Sequence, residues 1–85
     1  MAKRGISKSL HSDEQRAFCA LMIETRKKTG MTQAQLANKL RKPQSFVAKY
    51  EGGERRIDVT EFLGIVRAMG ADPVALIRAL TRRIS

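Results

Sequence analysis

Pro43 stands between two helical patterns that leave little room for a connection. Upstream, Leu36, Ala37 and Leu40 mark the buried side of a short helix. Thr32 opens it, and Gln35 three residues on completes a capping box. Downstream, the stretch QSFVAKYE reads as another short helix. A proline has no N–H to give and fits a helix's first turn, where that group would be unpaired anyway. It also pushes Lys42 out of helical geometry. One helix therefore ends near Leu40 or Arg41 and the next starts near Pro43. Two short helices joined this tightly must cross at a steep angle.

The rest of the chain reads in the same local terms. Ser12 with Gln15 forms a capping box, and Asp13 and Glu14 suit the positive end of the helix dipole. Phe18, Leu21, Met22 and Thr25 make the inward stripe of that first helix, Lys27 and Lys28 suit its negative end, and Gly30 stops it. Met31 is placed to staple against Leu36. Gly52-Gly53 ends the third helix. Asp58 with Glu61 opens a fourth, whose stripe is Phe62, Ile65, Val66 and Met69, and Gly70 stops it. Asp72 and Pro73 open a fifth, in which Val74, Leu76, Ile77, Leu80 and Ile84 are more apolar surface than one narrow stripe needs. The expectation is an all-α domain of five helices over residues 12–85, preceded by a basic arm over 1–11. That arm carries Lys3, Arg4 and Lys8 and either follows a phosphate backbone or is disordered.

Charge narrows the function. Seventeen Lys and Arg against eight Asp and Glu give +9, an excess that usually answers an anionic partner, nucleic acid or an acidic membrane. No apolar run reaches a membrane span, and the basic start lacks a signal-peptide core, so the expected location is cytoplasmic, at the nucleoid. Cys19 is alone and reads as a small core residue. His11 has no companion at metal spacing, so no metal is expected, and no cofactor. There is no Ser/His/Asp set and no phosphate-cradling glycine loop, so the chain is not read as an enzyme.

On a helical wheel, residues 44–51 divide into two sides. Gln44, Ser45, Ala48 and Lys49 fall together; Val47, Tyr50 and Glu51 fall opposite, with Phe46 at the border. Gln pairs bidentately with adenine, Ser donates or accepts, and Lys favours guanine O6/N7. Polar side chains near the start of a short basic helix suit entry into a major groove. Lys42 before the helix, and Arg55 and Arg56 after it, are placed to grip phosphates on both sides. Gln33 at the start of the second helix adds a further phosphate contact. The plain alternative is a solvated basic helix.

The run TQAQLANKLRKPQSFVAKYEGGERR resembles the helix-turn-helix of the Cro/C1-type (Xre-like) bacterial and phage regulators, strongly over Thr32 to Glu51. The resemblance implies a compact, lambda-repressor-like five-helix bundle that binds double-stranded DNA as a homodimer on an operator with two-fold symmetry. It places Gln44, Ser45 and Lys49 at base-reading positions and Gln33 at a phosphate position. It also puts Arg26 and Glu51 where some relatives form an internal ion pair, with Arg26 facing a phosphate as well. Three positions depart from the pattern, Phe46 among them because it is large for a position often small and polar. Arg41 stands where glycine is common, so either it adopts a costly left-handed turn or the turn differs. Pro43 stands where Ser or Thr usually caps. Phe46 either touches a thymine methyl or sugar, or packs under the loop.

For the dimer, Leu76, Ile77, Leu80 and Ile84 are the expected interface; the alternative is that they complete the monomer core. The leading reading is a sequence-specific transcriptional regulator, a repressor. The alternatives are an antitoxin that masks a protein toxin and autoregulates its operon, a restriction-system controller, and a non-specific architectural DNA binder.

Overall fold

The computed structural model describes residues 12–84, so the basic arm expected over 1–11 lies outside the described residues. Five helices follow one another: α1 (Asp13–Lys28), α2 (Gln33–Leu40), α3 (Gln44–Glu51), α4 (Val59–Ala68) and α5 (Pro73–Ile84). α2 packs chiefly on α3 and α4, and α1 on α5 and α3. Met22, Leu36, Ala37, Val47, Tyr50, Phe62, Ile65, Val66 and Met69 form one core where α1 to α4 meet. Ala37 is the small residue that lets α3 come close to α2.

The helix starts follow their caps. Thr32 with Gln35 and Asp58 with Glu61 close reciprocal capping boxes at α2 and α4. Asp72 accepts from the Val74 N–H at α5. At α1 only half of the expected box forms. Ser12 accepts from the Gln15 N–H at 3.0 Å, but the Gln15 amide turns toward Cys19 Sγ at 3.8 Å instead of back to the cap. Cys19 is buried and donates to the Tyr50 carbonyl at 3.3 Å, which ties α1 to the end of α3. Burial pushes its thiol pKa up, so it is a poor nucleophile.

The turn between α2 and α3 keeps its left-handed residue. Arg41 holds φ 58° and ψ 43°, and the Lys42 N–H donates to the Ala37 carbonyl at 3.0 Å in a Schellman pattern. Pro43 follows at φ −68° and ψ 154° and leaves α3 without a side-chain cap. At the far end of α3 it is Gly53, at φ 81°, that makes the left-handed stop, while Gly52 stays right-handed. The Glu54 N–H then returns to the Lys49 carbonyl at 2.8 Å, so the loop after α3 is fastened to α3 itself.

Candidate nucleic-acid interface

α3 is divided lengthwise by burial. Val47, Tyr50 and Glu51 are buried, whereas Gln44, Ser45 and Lys49 are exposed on the other side. Helix periodicity produces this split, because residues three and four apart share a face.

Behind the exposed face runs a chain of polar contacts. The Gln44 amide donates to Gln33 Oε1 at 3.3 Å, and the Gln33 amide donates to Glu51 Oε1 at 2.9 Å. Glu51 in turn accepts from Arg26 Nε at 2.7 Å and Nη2 at 3.0 Å. Arg26 Nη1 donates to the Met31 carbonyl at 2.9 Å. The Arg26 and Glu51 side chains are only 10% and 4% exposed. Taking both charges out of water is costly; the bidentate geometry and the added partners offset that cost. Arg26, expected to face a phosphate as well, is 8% exposed as a whole residue and gives three of its five donors to Glu51 and Met31. Its pKa is raised first by the hydrogen bond to Glu51.

The flanking cations are less alike than their sequence positions suggest. Lys42 is exposed, with Nζ 5.4 Å from the centroid of the Phe46 ring. Arg55 stacks over the same ring at 4.9 Å. Its Nη1 and Nη2 also meet Glu61 Oε1 and Oε2 at 3.1 and 2.8 Å, and Nη1 donates to the Arg56 carbonyl at 2.8 Å. The hydrogen bond from Arg55, then the Asp58 N–H, holds the Glu61 carboxyl below its ordinary pKa. Arg56 is exposed on the same loop. Phe46 packs rather than projects: it is half-buried and meets the Tyr50 ring edge-on at 5.5 Å. The link from Phe46 through Arg55 to Glu61 has no signature in sequence spacing, because loop geometry sets it.

The four residues expected at a dimer interface are divided by the structure. Leu76 and Leu80 are half-buried, and Leu76 packs against the core. Ile77 and Ile84 remain 49% and 44% exposed. Val59 and Val74, outside the expected set, are 73% and 57% exposed. Val59, Val74 and Ile77 line one apolar groove of about 410 Å³ with Phe18, Ile57 and Leu63. Periodicity gave no signal for Val59, which stands three residues before Phe62 at the edge of the α4 stripe yet is exposed. Among the described residues no helix is long and apolar enough to cross a membrane.

Known proteins share this fold. A helix-turn-helix family model, HTH_3, matches residues 22–76. An XRE-family like protein from Pseudomonas syringae pv. tomato str. DC3000 is 43% identical, with a TM-score of 0.81 over 89% of this chain and 93% of that one. Two point mutants of the restriction-modification controller protein C.Esp1396I superpose with TM-scores of 0.79 and 0.77. They are 20% and 22% identical, each over 86% of this chain and 97% and 92% of theirs, a likeness of fold. No curated protein matches the chain.

Proposed function

The chain belongs to the Cro/C1-type, Xre-like helix-turn-helix family, and we propose that it is a sequence-specific DNA-binding transcriptional regulator, a repressor acting as a homodimer on a near-palindromic operator. One observation carries this reading: Gln44, Ser45 and Lys49 stand exposed along one side of α3 while the opposite side is locked into the core. Gln44 is aligned by Gln33, which limits the rotamers its amide must lose on meeting a base. Gln44, Ser45 and Lys49 read base edges, Lys42, Arg55 and Arg56 hold phosphates, and Gln33 joins them at the start of α2. Arg26 supports this face from within.

The dimer forms through the exposed apolar residues of α4 and α5, with Ile77 and Ile84 from the expected set joined by Val59 and Val74. Two recognition helices in such a dimer sit about 34 Å apart, one turn of B-DNA.

Selection of bound duplexes from a random pool tests the reading. A near-palindromic preferred sequence is expected. Gln44→Ala and Lys49→Ala each relax preference at one position by about 1–3 kcal/mol, whereas Arg56→Ala weakens all duplexes alike and lowers the salt slope by about 1. Equal affinity for every sequence in competition would overturn it.

A further inference from the structure

Arg55 lies just beyond the reading helix, yet a carboxylate already occupies it. On charge alone Glu61 is a competitor: it adds a negative group beside a surface meant for an anionic polymer and takes up one of its cations. The atoms involved point the other way. Glu61 meets Arg55 end-on, through Nη1 and Nη2. The second Nη1 hydrogen goes to the Arg56 carbonyl. A guanidinium has five N–H donors in a fixed fork. With three committed, the two that remain are Nε–H and the second hydrogen of Nη2, and these lie side by side on one edge. That edge is a bidentate donor pair of the kind that matches a phosphate. The Phe46 ring, its centroid 4.9 Å from the guanidinium carbon, backs the fork and limits where it lies. The Arg55 side chain remains 41% exposed, so solvent and ligand reach it.

We propose that Arg55 is a pre-oriented phosphate clamp, with Phe46 and Glu61 as the positioning residues that hold it and leave its Nε–Nη2 edge for the DNA backbone. This rests on the DNA-binding reading above. Ordering a long, flexible arginine before the encounter removes an entropic cost that would otherwise fall on binding. The acidic residue therefore strengthens attraction to an anionic partner by spending its charge on geometry. Glu61 also joins this clamp to the start of α4, because its Oε1 accepts from the Asp58 N–H. The clamp is thus fixed to the protein at two points, α3 through Phe46 and α4 through Glu61.

The experiment measures affinity for a short mixed-sequence DNA duplex against salt concentration, for wild type, Arg55→Ala, Glu61→Gln, Phe46→Leu, and the last two each combined with Arg55→Ala. Glutamine still accepts in the α4 capping box, and thermal melting verifies that each variant is folded. Glu61→Gln and Phe46→Leu are expected to weaken binding several-fold and to lower the salt slope toward that of Arg55→Ala, which drops by about 1. Neither is expected to change affinity further once Arg55 is alanine. Tighter or unchanged binding by Glu61→Gln overturns the inference, and so does full additivity with Arg55→Ala. A wild type that binds no duplex overturns the regulator reading itself; a wild type that binds, with the opposite sign at Glu61, overturns this inference alone.

Discussion

Arg41 makes a left-handed turn with a side chain, where a glycine would make it without one. The Cβ of an L-residue in that region costs about 1–2 kcal/mol. Arg41→Gly is therefore expected to stabilise the domain by about 1 kcal/mol, raising the melting midpoint by about 4–8 °C for a domain of this size. No rise would mean that the arginine side chain returns what its backbone costs. Arg26 and Glu51 lie at the other extreme. Glu51→Leu leaves the buried Arg26 charge uncompensated, a change worth about 3–5 kcal/mol. Set against a typical total of about 5–15 kcal/mol, that is a large share of the stability. Urea titration is expected to show a correspondingly lower midpoint, and an unchanged midpoint would contradict the pair's structural role. Both features were partly legible in the sequence. Arg41 was visible as the residue in glycine's place, but which of two turns it makes depends on Lys42 reaching Ala37 across the helix end. The Arg26–Glu51 pair was suggested by resemblance, yet its depth follows from how closely α1, α2 and α3 converge.

At the scale of elements, the helices were legible because their starts and stops are written locally. Thr32, Asp58 and Asp72 cap as their spacing predicts, and the α4 stripe is buried as a block. Gln15 differs because a tertiary neighbour, Cys19, draws its amide away. α5 was the least legible element, since choosing between its two apolar sides requires knowing where α1 lies. α5 has no buried residue of its own and leans on α1 through half-buried Leu76 and Leu80. An ion pair between Arg83 and Glu24 at 2.5 Å joins their exposed edges. Its outer side, with α4, leaves Val59, Val74 and Ile77 bare. Val59→Glu or Ile77→Glu is expected to give a monomer by sedimentation equilibrium, with affinity for a two-fold site falling while the monomer stays folded. A dimer that survives both changes would place the interface elsewhere. Because a partner that binds only the folded form stabilises it by mass action, the wild-type melting midpoint is expected to rise with protein concentration.

At the scale of the whole molecule, charge governs. Seventeen cations face eight anions, and among the described residues Asp13, Glu24, Glu51 and Glu61 are in ion pairs. The hydrogen bonds from Arg83 and Arg55 hold the Glu24 and Glu61 carboxyls below their ordinary value of 4.5. A carboxyl depressed in the folded state contributes stability above its unfolded pKa, and that contribution disappears as pH falls through the folded value. Stability is therefore expected to be flat near neutrality and to decline as pH falls below about 4.5, while the net charge climbs from +9 and self-repulsion grows. Thermal midpoints across an acid series check this, with Glu24→Gln showing a shallower decline than wild type. The lengthwise division of α3 has a further consequence, for how such a protein changes its target over time. Residues that hold the fold and the exposed residues proposed to read bases occupy the same eight-residue helix without sharing a position. Ser45 and Lys49 are therefore rewritable one at a time without disturbing the core. Gln44 is not, because Gln33 holds it. A lineage that retargets this domain is free to drift at two letters, but must inherit the third together with its partner on the preceding helix.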